Sequence, residues 1–102
     1  MKLRQTQIKK IQSILKKHDV KRADLFGSYA RGDADKNSDI DILFQFKGRK
    51  SLFDHSGLKI DLEKNLKKDV DVITYRSVNH RLKPYIMENL VSIFGATSLM
   101  TQ

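Results

Sequence analysis

A chain of 102 residues closes around one compact core and leaves little room for a second domain to present a substrate. It has no cysteine, which excludes disulfides and thiolate metal sites, and His18, His55 and His80 lack zinc-like spacing. The formal net charge of +8 suits polyanions (nucleoside triphosphate, RNA or an acidic protein), but charge speaks to association and not to chemistry. No apolar run approaches the roughly 20 residues that span a bilayer. Segment 1–17 is charged and carries no apolar signal-peptide core, so a cytoplasmic location is expected.

Residues 2–18 read as a helix, with Ile8, Ile11, Ile14 and Leu15 on one stripe. Val20–Phe26 reads as a short strand running into Gly27-Ser28, a tight turn that opens one helical turn over Tyr29-Ala30-Arg31 and ends at Gly32-Asp33. A polar loop leads to a second strand, Asp39–Phe46. Alternation puts Asp39, Asp41 and Leu43 on one face and Ile40, Ile42 and Phe44 on the other.

Ser51 is the expected N-cap of a helix to about Lys67, with Asp54 at the capping-box position and Leu52, Leu58, Leu62 and Leu66 as its apolar stripe. Asp69–Thr74 is a third strand with Asp69, Asp71 and Ile73 on one face. A last helix is expected at about residues 81–89, with Leu82, Tyr85, Ile86 and Leu90 apolar and Pro84 in its first turn. Val91–Phe94 reads as a fourth short strand. One domain over residues 1–95 and a frayed tail over 96–102 are expected. The alternation of helix and strand argues an α/β or α+β fold, a small mixed sheet flanked by helices.

The chemistry concentrates between Gly27 and Asp41. Asp39 and Asp41, two apart on a strand, reach toward one point, and Asp71 comes from another strand. Mg²⁺ prefers oxygen ligands and binds through one or two carboxylates plus substrate phosphates. Two such ions clamp the attacking and leaving oxygens of an in-line displacement. Gly27 lets backbone approach a phosphate closely, and Ser28 adds a hydroxyl donor. No GxxxxGK[ST] or GxGxxG occurs. Taken singly each piece is weak. Asp69 reads as the residue leading into its strand, Asp33 and Asp35 as loop residues, and Arg31 as a partner of the acids or of a triphosphate.

Gly27-Ser28-x10-Asp39-x-Asp41 resembles the signature of the DNA polymerase β-like nucleotidyltransferase superfamily. Gly27-Ser28-Tyr29-Ala30-Arg31-Gly32, Ser38-Asp39-Ile40-Asp41-Ile42-Leu43 and Val70-Asp71-Val72-Ile73 are similar to its minimal members, the MNT proteins. That resemblance implies the nucleotidyltransferase core fold. It implies that Asp39 and Asp41 bind two Mg²⁺ ions, that Asp71 completes the metal and catalytic site, and that Gly27, Ser28 and Arg31 bind the nucleotide. It implies transfer of AMP from ATP to a hydroxyl, with a tyrosine of a HEPN-type ribonuclease toxin as acceptor, so that the chain acts as an antitoxin. Two alternatives stay open: a module that masks its partner by contact alone, and a nucleotidyltransferase with a small-molecule or RNA acceptor.

Overall fold

A computed structural model describes residues 2–78, 84 and 89–95. Its elements are α1 (Gln5–Lys17), β1 (Val20–Phe26), α2 (Ser28–Arg31), β2 (Ile40–Phe46), α3 (Leu52–Leu66), β3 (Val70–Thr74), a 3₁₀ turn (Tyr75–Ser77) and β4 (Val91–Phe94). The strands form one mixed sheet in the order β3-β2-β1-β4. β2 and β3 are parallel, while β1 is antiparallel to both β2 and β4. The expected α/β sandwich is therefore present, and β2, which carries Asp41, is an inner strand.

The core lies between the sheet and the two long helices. Ile11, Ile14 and Leu15 from α1 and Leu58 and Leu62 from α3 meet Ile40, Ile42 and Phe44 of β2 and Val70 and Val72 of β3. The alternation expected in β2 is observed: Ile40, Ile42 and Phe44 join this core, whereas Asp41 and Leu43 belong to the opposite face. His18 at the end of α1 lies 2.9 Å from Asp61 Oδ2 of α3 and ties the helices together.

Helix α3 starts as its sequence predicts. Asp54 N–H donates to Ser51 Oγ at 3.3 Å, and Ser51 N–H donates to Asp54 Oδ2 at 2.8 Å. The leucine stripe needs one correction. Leu58 and Leu62 are fully buried, but Leu52 is 83 % exposed. Leu52 opens the helix, ahead of the turns that lie on the sheet. Three boundaries also shift inward: α1 starts at Gln5, β2 at Ile40 and β3 at Val70. The helix expected at 81–89 lies largely outside the described residues, as do His80 and the tail from residue 96.

α3 also covers the outer edge of the sheet. An edge strand turns every second residue's N–H and C=O outward. Val70 N–H donates to Glu63 Oε2 at 3.0 Å, and Val70 O accepts from Lys59 Nζ at 3.0 Å. Val72 O lies 2.7 Å from His55 Nε2. His55, Lys59 and Glu63 are spaced i, i+4, i+8 and so line one side of the helix, forming a polar rail along β3.

Candidate active site

β2 and β3 run parallel in a register that sets Asp41 opposite Asp71. On its other side Asp41 is paired with Phe26, the last residue of β1, so the Gly27 turn arrives beside its carboxylate. The backbone at Gly27 has φ 71° and ψ −150°. A non-glycine residue is strained there. A Cβ at Gly27 would also collide with Asp41 Oδ2. Glycine is thus required twice over, by the turn and by the close approach to the acid.

Beyond Gly27 the chain makes the single turn of α2. Gly27 O accepts from the N–H groups of Ala30 and Arg31 at 3.1 and 3.0 Å. Tyr29 anchors this turn in the core, and Gly32 ends it in the left-handed conformation at φ 88°. Arg31 leans toward the loop, its Nε 3.2 Å from Asp33 Oδ2, and its charge also favours ionisation of Asp41.

The acids are electrostatically linked. The Asp41 carboxyl is pushed up to about 6, first by burial, then by the Asp71 charge and a hydrogen bond with Asp71, and then by Asp39. Asp39 sits just outside β2 and is exposed. The structure therefore brings Asp41 and Asp71 into direct contact and leaves Asp39 beside them. Among the described residues, no three His, Cys, Asp or Glu side chains are gathered closely enough to hold an ion as they stand. The chemistry of the donors nonetheless fits Mg²⁺. They are hard oxygen ligands, and the like-charge repulsion that holds a proton on Asp41 is what a cation would relieve.

The remaining acids sort by their contacts. Asp35 organises its own loop, with its Oδ1 accepting from Asn37 N–H at 2.8 Å. Asp69 contributes its backbone carbonyl to Ile40 N–H at 3.1 Å. Lys59 is a neighbour that sequence reasoning missed. Its Nζ lies 3.8 Å from Asp71 Oδ1 and 3.8 Å from Glu63 Oε2 while it holds Val70 O. The His55-x3-Lys59-x3-Glu63 spacing on α3 was the available signal.

The family profile described as Polymerase beta, Nucleotidyltransferase matches residues 9–98. The chain belongs to the polymerase β nucleotidyltransferase family. A Methanocaldococcus jannaschii protein named as a protein adenylyltransferase is 51 % identical over 85 residues, covering 83 % of this chain and 91 % of that one. Protein adenylyltransferase MntA of Thermococcus cleftensis is 31 % identical over 94 residues, covering 84 % and 95 %. Among solved structures, a minimal nucleotidyltransferase superposes with TM-score 0.73 at 32 % identity, covering 84 % of this chain and 88 % of its own. A toxin–antitoxin pair with AMP-PNP superposes with TM-score 0.76 at 27 % identity, covering 89 % and 75 %. The fold expected of a minimal nucleotidyltransferase is thereby found. Among the described residues, no helix is long and apolar enough to cross a membrane.

Proposed function

We propose that this nucleotidyltransferase is a protein adenylyltransferase of the MNT antitoxin type, which moves AMP from ATP to a tyrosine hydroxyl of a HEPN-type toxin. The observation that carries this reading is the Asp41–Asp71 pair, set side by side on parallel strands with the Gly27 turn against Asp41. Two similar chains named as protein adenylyltransferases, and a structural neighbour that is a toxin–antitoxin pair with AMP-PNP, support the partner and the nucleotide.

In this reading Gly27 and Ser28 bind the triphosphate, and Arg31 neutralises its charge. Asp39 and Asp41 hold Mg²⁺ together with Asp71. Bound there, Mg²⁺ would polarise the α-phosphate and stabilise the leaving pyrophosphate. Asp71 stands exposed near the start of β3 and receives the acceptor hydroxyl. It accepts the hydroxyl proton as the acceptor oxygen bonds to the α-phosphorus. The bond from the α-phosphorus to the bridging oxygen breaks, and pyrophosphate leaves. Lys59 Nζ stands 3.8 Å from Asp71 Oδ1, a positive charge beside the proton acceptor.

The test is incubation of purified protein with α-labelled ATP, Mg²⁺ and a HEPN-type partner. Covalent label on the partner, lost in Asp39→Ala/Asp41→Ala, is the expected result. Undiminished label with that double variant sinks the proposal. A second reading, neutralisation by contact alone, draws on the exposed apolar residues of α3: Leu52 at 83 %, Phe53 at 89 % and Ile60 at 62 %. It predicts that Asp39→Ala/Asp41→Ala still protects cells and that Leu52→Ser/Phe53→Ser does not.

A further inference from the structure

A second cavity opens at the end of the sheet away from the acids, between the loop after β2 and the turn after β3. Its volume is about 690 Å³, and Arg22, Arg49, Lys50 and Arg76 line it together with Phe46 and Tyr75. That volume is within the range of small-molecule sites, roughly 300–1,000 Å³. The nearest wall residues on the acid-bearing strands, Phe44 and Thr74, stand about 10 Å along β2 and β3 from Asp41 and Asp71 at the ~3.3 Å rise of a strand residue. The cavity is therefore distinct from the catalytic pair.

Its charge is one-sided. Four cations line it and, among the described residues, no carboxylate does. Lys50 is partly neutralised by Asp19 Oδ2 at 3.1 Å. Arg49 and Arg76 are exposed and make no ion pair or side-chain hydrogen bond among the described residues. The Arg22 guanidinium stacks over the Tyr75 ring, 4.2 Å from its centroid, and its Nε is buried with no hydrogen-bond partner among the described residues. A buried donor without an acceptor is costly, and such groups in native proteins call for an explanation. Tyr75 OH donates to Asp24 Oδ2, and burial, then that hydrogen bond, holds the phenol well above its ordinary pKa. The phenol thus stays neutral and adds no competing negative charge.

The geometry points to a site for a phosphomonoester of nucleotide size, bound separately from the triphosphate of the transfer reaction. Planar guanidinium groups match phosphate oxygens in bidentate fashion. The aromatic wall of Phe46 and Tyr75 offers apolar surface to the organic part of the ligand. Three arginines from three separate segments converge on one cavity.

The probe is AMP, titrated without metal into isotope-labelled Asp39→Asn/Asp41→Asn protein and followed by backbone amide shifts. Shifts at residues 46–50 and 74–76 are expected. Adding Arg49→Gln/Arg76→Gln to this protein should weaken AMP at least tenfold, whereas adding Lys9→Gln/Lys10→Gln on exposed α1 should leave it unchanged. Shifts confined to residues 27–32 and 39–41, or equal weakening by both pairs, overturn the proposal. So does inorganic phosphate binding as tightly as AMP, since nothing would then use the rest of the cavity. An acidic hexapeptide competing as well as AMP at equal charge overturns it in favour of an acidic polypeptide. None of these outcomes depends on whether AMP transfer occurs.

Discussion

Asp41 and Asp71 stand opposite one another on parallel strands, and the Asp71 charge raises the cost of ionising Asp41. Burial and this neighbour lift Asp41 to about 6. A folded-state pKa above the unfolded value means that the folded protein binds the proton more tightly. The stabilisation is therefore complete below the ordinary carboxylate range and is lost as pH rises through 6. Metal-free Asp41→Asn protein should melt above wild type at pH 7.5, and its advantage should shrink as pH falls toward 4. Thermal melts in chelator across that range test this. An advantage independent of pH would contradict it.

The same proton competes with a cation. Mg²⁺ affinity should rise with pH up to about 6, where Asp41 titrates, and level off above it. Calorimetry in buffers of different ionisation enthalpy should show proton release on Mg²⁺ binding at pH 5.5 and little at pH 8. Equal proton release at both values would place the titrating group elsewhere.

Asp71→Asn keeps the shape of the side chain and removes the base. Transfer to the partner should fall by roughly 10²- to 10⁴-fold, the usual contribution of a positioned general base. Complex formation with the partner should persist, as size-exclusion chromatography would report. Transfer within threefold of wild type would take Asp71 out of the base role.

Two glycines with left-handed backbones should respond differently to alanine. Gly27→Ala meets both its positive φ and the Asp41 carboxylate, so transfer should collapse and unfolding free energy should drop by about 1–3 kcal/mol. Gly32→Ala meets only the milder strain of the left-handed α region (φ 88°, ψ 7°), and nothing lies within 4 Å of its Cβ, so it should lose only about 1 kcal/mol and keep its activity. Urea titrations read the first quantity and label transfer the second.

Removing one contact of the α3 rail should loosen β3 locally. Glu63→Ala frees Val70 N–H and should cost about 1 kcal/mol. The Val70 amide should then exchange faster by about tenfold, while amides in β1 stay protected. Uniform acceleration across the sheet would instead mark a global loss of stability.

Much of this molecule was legible in its sequence because local rules agree with the fold. The Ser51/Asp54 cap, the left-handed stop at Gly32, the alternation through Ile40–Phe44 and the β4 strand at Val91–Phe94 depend on short-range chemistry. What failed depends on where elements meet. Leu52 has the composition of a core residue, yet the helix has not reached the sheet at that turn. The boundary at Asp39 moved for the same reason: β2 pairs only from Ile40, although the Asp39 charge still reaches Asp41. Lys59 reaches Asp71 only because α3 runs along the outer edge of β3; the His55-x3-Lys59-x3-Glu63 spacing marks a polar stripe on α3 without saying what it faces. The cation-lined cavity likewise gathers Arg22, Arg49 and Arg76 from three separate segments.

The His55–Lys59–Glu63 rail also decides how this chain can meet another protein. Free strand edges are templates for pairing with foreign strands, and they lead small sheets to swap, polymerise or aggregate. At β3 the outward groups of Val70 and the carbonyl of Val72 already have partners within the same molecule. A partner protein therefore meets, at Val70 and the Val72 carbonyl, an edge whose outward groups are already taken. The rail keeps the reaction's acceptor side open to a side chain and closed to a strand.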